Sequence, residues 1–252
     1  MINAARKAVI VTGAGRGIGA ATAVLAAARG YPVVINYLAD AQSANALSGR
    51  IVDAGGRATT IQGDVSITAD VKRMFVHTAA TFGNPGAIVN NAGITGVSGA
   101  FRDVTDDTLR RVNDTNILGC SLCCREAIPY LSRKDGHQGG VIINISSAAA
   151  TLHSPGAYVW YAASKSAVET LTLGLSKELA GEGIRVNAVS PGVIDTDIHR
   201  KSGVARELDT YVDTIPMGRL GKAEEIAGAV LWLLSEEAVY CNGTILRIAG
   251  GR

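Results

Sequence analysis

The sequence predicts an α/β protein, one doubly wound domain with a parallel sheet of about seven strands and helices on both faces. Three observations predict it. Short apolar runs alternate with longer helical patterns along all 252 residues. The first run, Ala8 to Val11, passes directly into Thr12-Gly13-Ala14-Gly15-Arg16-Gly17-Ile18-Gly19, a glycine-rich turn between a strand and a helix. No composition shift, repeat or low-complexity linker divides the chain, so residues 1–252 read as a single domain.

The elements follow in order. Lys7 to Thr12 is the first strand and Gly17 to Arg29 the first helix. Pro32 to Tyr37 contains Val33-Val34-Ile35, apolar without alternation, as a strand covered on both faces should be. Ala41 to Ala54 continues as a helix and Ala58 to Gln62 as a strand. Ala69 to Phe82 reads as a helix, Ala87 to Asn90 as the fourth strand, and Asp106 to Leu131 as one long helix. Val141 to Ile145, Arg185 to Val189 and Thr244 to Ile248 complete the strands; Tyr158 to Ala180 and Ala223 to Leu234 complete the helices. Only Thr196 to Arg219 breaks the rhythm, polar and irregular; it reads as a lid over a pocket in preference to a plain surface loop.

Composition excludes several classes. The net charge of +2, with no basic run, gives no electrostatic case for nucleic acid or a membrane surface. No apolar stretch approaches the ~18 residues that span a bilayer. The glycine turn comes too early for a signal peptide ahead of it, so a cytoplasmic protein is expected. Of the four cysteines, Cys120-x-x-Cys123 resembles half a metal site, but no second pair completes it; buried thiols and no metal are expected.

Two local constellations carry chemistry. In the glycine segment, Gly13 permits the tight turn, Gly17 lets backbone approach a pyrophosphate and Gly19 lets helix pack on strand, while the helix N-terminus offers N–H groups to phosphates. In Tyr161-Ala162-Ala163-Ser164-Lys165, four residues make about one helical turn and set a phenol and an ammonium on one face. Just upstream, Asn144-Ile145-Ser146-Ser147 closes an apolar run. Together they imply a nicotinamide-dependent oxidoreductase that uses tyrosine as acid or base.

With Asp64-Val65, Asn90-Asn91-Ala92-Gly93, Asn116-Ile117-Leu118-Gly119, Arg185-Val186-Asn187 and Pro191-Gly192-Val193-Ile194-Asp195-Thr196 in order, the chain resembles the classical short-chain dehydrogenases/reductases from Lys7 to Arg252. It looks most similar to glucose 1-dehydrogenase-like members and uncharacterised oxidoreductases, and less so to 3-oxoacyl-carrier-protein reductases. The resemblance implies a Rossmann fold and NAD(P)-dependent interconversion of a carbonyl and a secondary alcohol. It also implies a small-molecule substrate such as a sugar or polyol, with a 3-oxoacyl-carrier-protein substrate as the alternative, and a homotetramer built through the long helices and the last helix and strand. A non-enzymatic cofactor-sensing module is disfavoured because Tyr161 and Lys165 are both present.

Carried over residue by residue, the resemblance makes Asn116, Ser147, Tyr161 and Lys165 the catalytic set. Tyr161 is the acid or base. A free phenol titrates near 10, and bringing it near 7 takes about 4 kcal/mol, which the ammonium of Lys165 and a positive nicotinamide ring can supply. Lys165 also holds the nicotinamide ribose, Ser147 fixes the substrate oxygen, and Asn116 relays protons through water. Gly13, Arg16, Gly17, Ile18, Gly19, Tyr37, Asp64, Val65, Asn90, Ala92, Gly93, Tyr161, Lys165, Pro191, Gly192, Ile194 and Thr196 border the cofactor. Ser146 is the rival of Ser147, since alternation sends the two side chains opposite ways. Tyr158, on nearly the same stripe as Lys165, is the rival of Tyr161 or part of the substrate wall. His153 and His199 fall in segments that flank the pocket in relatives. For the cofactor, Tyr37 ends the second strand where NAD-preferring relatives carry an acidic residue, and Arg16 stands where NADP-preferring relatives often carry a basic one. Leu38 and Ala39 lack the second basic residue of many such relatives; NADP is expected to be preferred, with NAD also used.

Overall fold

Val9-Ile10-Val11, Val33-Val34-Ile35 and Ile142-Ile143 are apolar at every position, and each lies in a strand with both faces covered. In the computed structural model, which describes residues 6–196 and 212–252, the strands are β1 (Val9–Val11), β2 (Val33–Tyr37), β3 (Ala58–Gln62), β4 (Ala87–Asn90), β5 (Gly140–Ile145), β6 (Ile184–Pro191) and β7 (Ile245–Ile248). All pair in parallel, in the order β3-β2-β1-β4-β5-β6-β7.

Side chains alternate across the sheet and so build two cores. Val9, Val11, Val33, Ile35, Val89 and Ile143 face α1 (Gly17–Ala28), α2 (Ala41–Asp53) and the last helix, Ala223–Leu234. Ile10, Val34, Ile88, Ile142 and Val186 face α3 (Thr68–Phe82), a helix at Cys120–Leu131 and another at Val159–Leu179. The chain winds outward from β1 in both directions. The connection after β1 leaves to one face and that after β4 to the other, which opens a crevice at the C-terminal ends of these neighbouring strands.

Two departures from the expected elements bear on the site. Asp106 to Leu131 is not one regular helix: α4 (Asp106–Asn113) passes through a π-helical stretch, Asp114–Gly119, into α5 (Cys120–Leu131). A short helix, α6 (Ala149–Leu152), precedes α7 (Val159–Leu179); α8 is Ala223–Leu234. The apolar faces of α5 and α8 expected to serve assembly are turned inward: Cys120, Leu122, Cys123 and Cys124, and Ala227, Val230, Leu231, Leu233 and Leu234, are buried within the protomer. Of the expected lid over 196–219, residues 197–211 lie outside the described residues, His199 among them. No helix among the described residues is long and apolar enough to cross a membrane.

Candidate active site

The glycine loop closes the crevice at one end. Gly13 holds φ +60, and a Cβ there would stand 2.9 Å from the Cα of Ala92. At Gly19 a Cβ would meet the Asn91 amide nitrogen at 2.5 Å and the Gly13 carbonyl oxygen at 2.9 Å. Glycine is required by close approach at both positions. Thr12 and Asn91 lock the loop to β4: the Thr12 hydroxyl accepts from the backbone N–H of Asn91 and of Ala92, each at 3.0 Å, and the Asn91 amide donates to the carbonyls of Thr12 and Gly13 at 2.9 and 3.1 Å. Asn36 adds a second clip, accepting from the Gly13 N–H at 3.2 Å and donating to the Gly63 carbonyl at 3.0 Å. Helix α1 starts from Arg16 with no side-chain cap and no acid in its first turn, so its positive end is left open beside the cleft. This cradle fits a dinucleotide pyrophosphate: the backbone can be approached closely and unpaired N–H groups await an anion.

At the other end stand Tyr161 and Ser147. Strand β5 ends at Ile145, and the next two side chains part as alternation requires. Ser146 turns inward and donates to Glu169 Oε1 at 2.8 Å, whereas Ser147 hydrogen-bonds the Tyr161 phenol. Tyr158 packs edge-on against Tyr161, ring centroids 6.5 Å apart, and against Trp160 at 6.3 Å. Lys165 is buried one turn below Tyr161, its Nζ 5.7 Å from the phenol ring centroid and 2.7 Å from the Ile145 carbonyl to which it donates. Burial pushes the Lys165 ammonium down to about 8. Burial also pushes the Tyr161 phenol above its ordinary value, opposed by the Ser147 hydrogen bond. The expected descent of the phenol toward 7 is therefore not produced by the protein's own groups, because desolvation outweighs them.

A cleft of about 950 Å3 joins the two ends. Gly13, Arg16, Gly17, Ile18, Tyr37, Asp64, Val65, Ala92, Gly93, Ser147, Tyr161, Lys165, Pro191, Gly192, Ile194 and Thr196 all line it. Asp64 also builds its own turn, accepting from the N–H and hydroxyl of Ser66 at 2.8 and 2.7 Å. Thr196, where the expected lid begins, would stand 3.4 Å from a Cβ at Gly17.

Three expected site residues lie behind the wall. Gly19 serves helix packing. Asn90 faces inward at the end of β4, donating to Asn144 Oδ1 at 2.9 Å and to Cys124 Sγ at 3.3 Å, so it does not border the cleft; Asn91, one step on, does. Asn116, on the π-helical stretch, is fully engaged: it accepts from the Ile94 N–H and donates to the Ile94 carbonyl and the Ser164 hydroxyl, each at 2.9 Å. It clamps the loop after β4 to the helix of Lys165. Residues that motif reading misses include Thr12, Asn36 and Ser66; only the Thr12-Gly13 adjacency hinted at the first. The loop after Ser147 carries two non-glycine residues at positive φ, His153 (63°) and Ser154 (45°). His153 is exposed and outside the cleft wall, whereas Ser154 lines it.

The comparisons with known proteins agree with this geometry. A family model described as Enoyl-(Acyl carrier protein) reductase matches residues 13–252. The chain is 45% identical over 243 residues to the uncharacterized oxidoreductase YgfF of Escherichia coli, covering 96% of this chain and 98% of that one. It is 40% identical over 247 residues to 3beta-hydroxysteroid dehydrogenase 1 of Eggerthella lenta, covering 97% and 93%. A crystal structure of a short chain dehydrogenase from Burkholderia cenocepacia in complex with NADP superposes with a TM-score of 0.91 at 34% identity, covering 99% of each chain. The glycine cradle, the phenol over a buried lysine and these likenesses together make the chain a member of the classical short-chain dehydrogenase/reductase family.

Proposed function

We propose that this NAD(P)-dependent oxidoreductase works chiefly as a carbonyl reductase, with NADPH preferred and Tyr161 as the proton donor. The observation that carries it is the Tyr161 phenol, hydrogen-bonded to Ser147, held protonated by burial and lining the same cleft as the glycine cradle. The nicotinamide, when bound, supplies or accepts the hydride at its ring carbon. The protein supplies position and electrostatics. Ser147 orients the substrate oxygen toward the phenol, Tyr161 donates its proton to that oxygen, and Lys165 holds the ribose and stabilises the phenolate left behind. Asn116 acts on this chemistry as a positioning residue through Ile94 and Ser164. In the reverse direction the phenolate of Tyr161 takes the proton back from the alcohol.

The preference for NADP rests on Arg16, an exposed guanidinium on the cleft, and on Tyr37 in place of an acid at the end of β2. Asp40 lines the same end, but both its oxygens accept from Ser43 as the cap of α2, from the N–H at 3.0 Å and the hydroxyl at 2.8 Å. A turnover screen of small ketones and aldehydes with NADPH and NADH tests the reading. Oxidation of NADPH with at least one ketone, faster than with NADH, is expected. No turnover of any carbonyl with either cofactor overturns it.

A further inference from the structure

His153 and Ser154 are the two non-glycine residues at positive φ among those described, in a region that L side chains seldom enter. The turn they make has a structural use: the Ser154 carbonyl accepts from the backbone N–H of Ala157 at 3.2 Å and of Tyr158 at 3.0 Å, and so starts α7. That use needs only backbone, which glycine would provide without strain. A side chain kept in such a conformation on the wall of a site points to a task for that side chain. Ser154 is half-buried on the cleft wall, to which its chain neighbours Leu152, Pro155 and Ala157 and the residue Ile94 add apolar surface and Tyr158 a phenol. The Thr95 hydroxyl donates to the Gly96 carbonyl at 3.0 Å and Ser147 is engaged with Tyr161. The Ser154 hydroxyl has no hydrogen-bond partner among the described residues.

We propose that Ser154 is a specificity-determining residue that hydrogen-bonds a second oxygen of the substrate, some atoms away from the reacting carbonyl. The substrate class that fits is a mainly apolar ketone, or the matching secondary alcohol, with one further oxygen function. This rests on the reading of the cleft as a carbonyl reductase site. Discrimination follows because a ketone without the second oxygen leaves the hydroxyl unpaired against apolar neighbours.

The test compares kcat/KM for 2,5-hexanedione and 2-hexanone with NADPH, in the native protein, Ser154→Ala, Ser154→Gly and His153→Gly. The native protein should prefer the dione at least ~10-fold, well above the factor of about 2 that two equivalent carbonyls give. Both Ser154 variants should bring the ratio down to about 2, mainly through KM. His153→Gly relaxes the neighbouring backbone without touching the hydroxyl and should keep the native ratio. A native ratio near 2, a preference that survives in Ser154→Ala, a preference lost in His153→Gly, or faster turnover of xylulose than of the dione would each overturn the assignment while leaving the reductase reading in place. Absence of NADPH-dependent turnover of both ketones would instead count against that reading, and the assignment would fall with it.

Discussion

Lys165 is the residue where function and stability oppose each other most openly. Its folded-state value near 8 lies below the ordinary 10.5 because burial penalises the ammonium. The cost is fully present below pH 8 and fades as the pH rises from about 8 to about 10.5, where the unfolded chain alone still holds the proton. Lys165→Met should therefore stabilise the fold at pH 7 by about 1–2 kcal/mol, the burial penalty less the lost hydrogen bond to Ile145. The gain should vanish toward pH 10, and urea unfolding at the two pH values reads it; a variant equally destabilised at both contradicts it. The same change should abolish turnover and weaken cofactor binding if, as proposed above, one ammonium serves the phenol and the ribose. Tyr161 and Lys165 were legible in the sequence because four-residue spacing is a local signal. The direction of the phenol's shift was not, because Tyr161 packs in a cluster that includes Val112, far off in the sequence, as well as its neighbours Tyr158 and Trp160.

At the scale of the element, the glycine loop and α1 can be tested at two points. Gly19→Ala would drive a methyl against Asn91 and the Gly13 carbonyl, costing about 1–3 kcal/mol and displacing the loop. Thermal unfolding should register the loss and titration with NADPH a weaker complex; an unchanged complex contradicts the packing role. Arg16→Ala should weaken NADPH binding by about 1.5–3 kcal/mol more than NADH binding, the worth of a hydrogen bond to a charged group. Equal weakening of both, or a native protein that binds NADH more tightly, contradicts the cofactor assignment. Strand ends and helix starts were legible here within one or two residues, as at Ala58–Gln62 and Ala223–Leu234. The π-helical stretch was not: Asp114–Gly119 is rich in weak helix formers, which does not tell a π-helical turn from a frayed α-helical one, and its departure from regularity accompanies contacts of Asn116 with Ile94 and Ser164. The inward turn of Asn90 was hidden for a similar reason, because it depends on Asn144 in the neighbouring strand.

For the whole molecule, alternation of apolar runs and helical patterns sufficed to foresee a doubly wound parallel sheet, since that architecture buries both faces of its central strands, while the edge strands β3 and β7 are only partly covered. Assembly is a separate matter. The faces of α5 and α8 are turned into the core, but Trp232, Val239 and Tyr240 are 36%, 71% and 100% exposed around the end of α8. A homotetramer that covers this surface is expected, and light scattering at micromolar concentration should show it; Tyr240→Asp should shift the protein to smaller species, and a monomeric native protein contradicts it. What the fold does for chemistry is to bring a glycine cradle after β1 and a protonated phenol on α7 to one cleft. Single-turnover absorbance of reduced nicotinamide, in native protein and Tyr161→Phe loaded with NADPH and mixed with 2-hexanone, tests that most directly. The variant should bind NADPH within about threefold of native and transfer hydride at least ~1,000-fold more slowly; hydride transfer within about tenfold of native would show that the proton comes from another group.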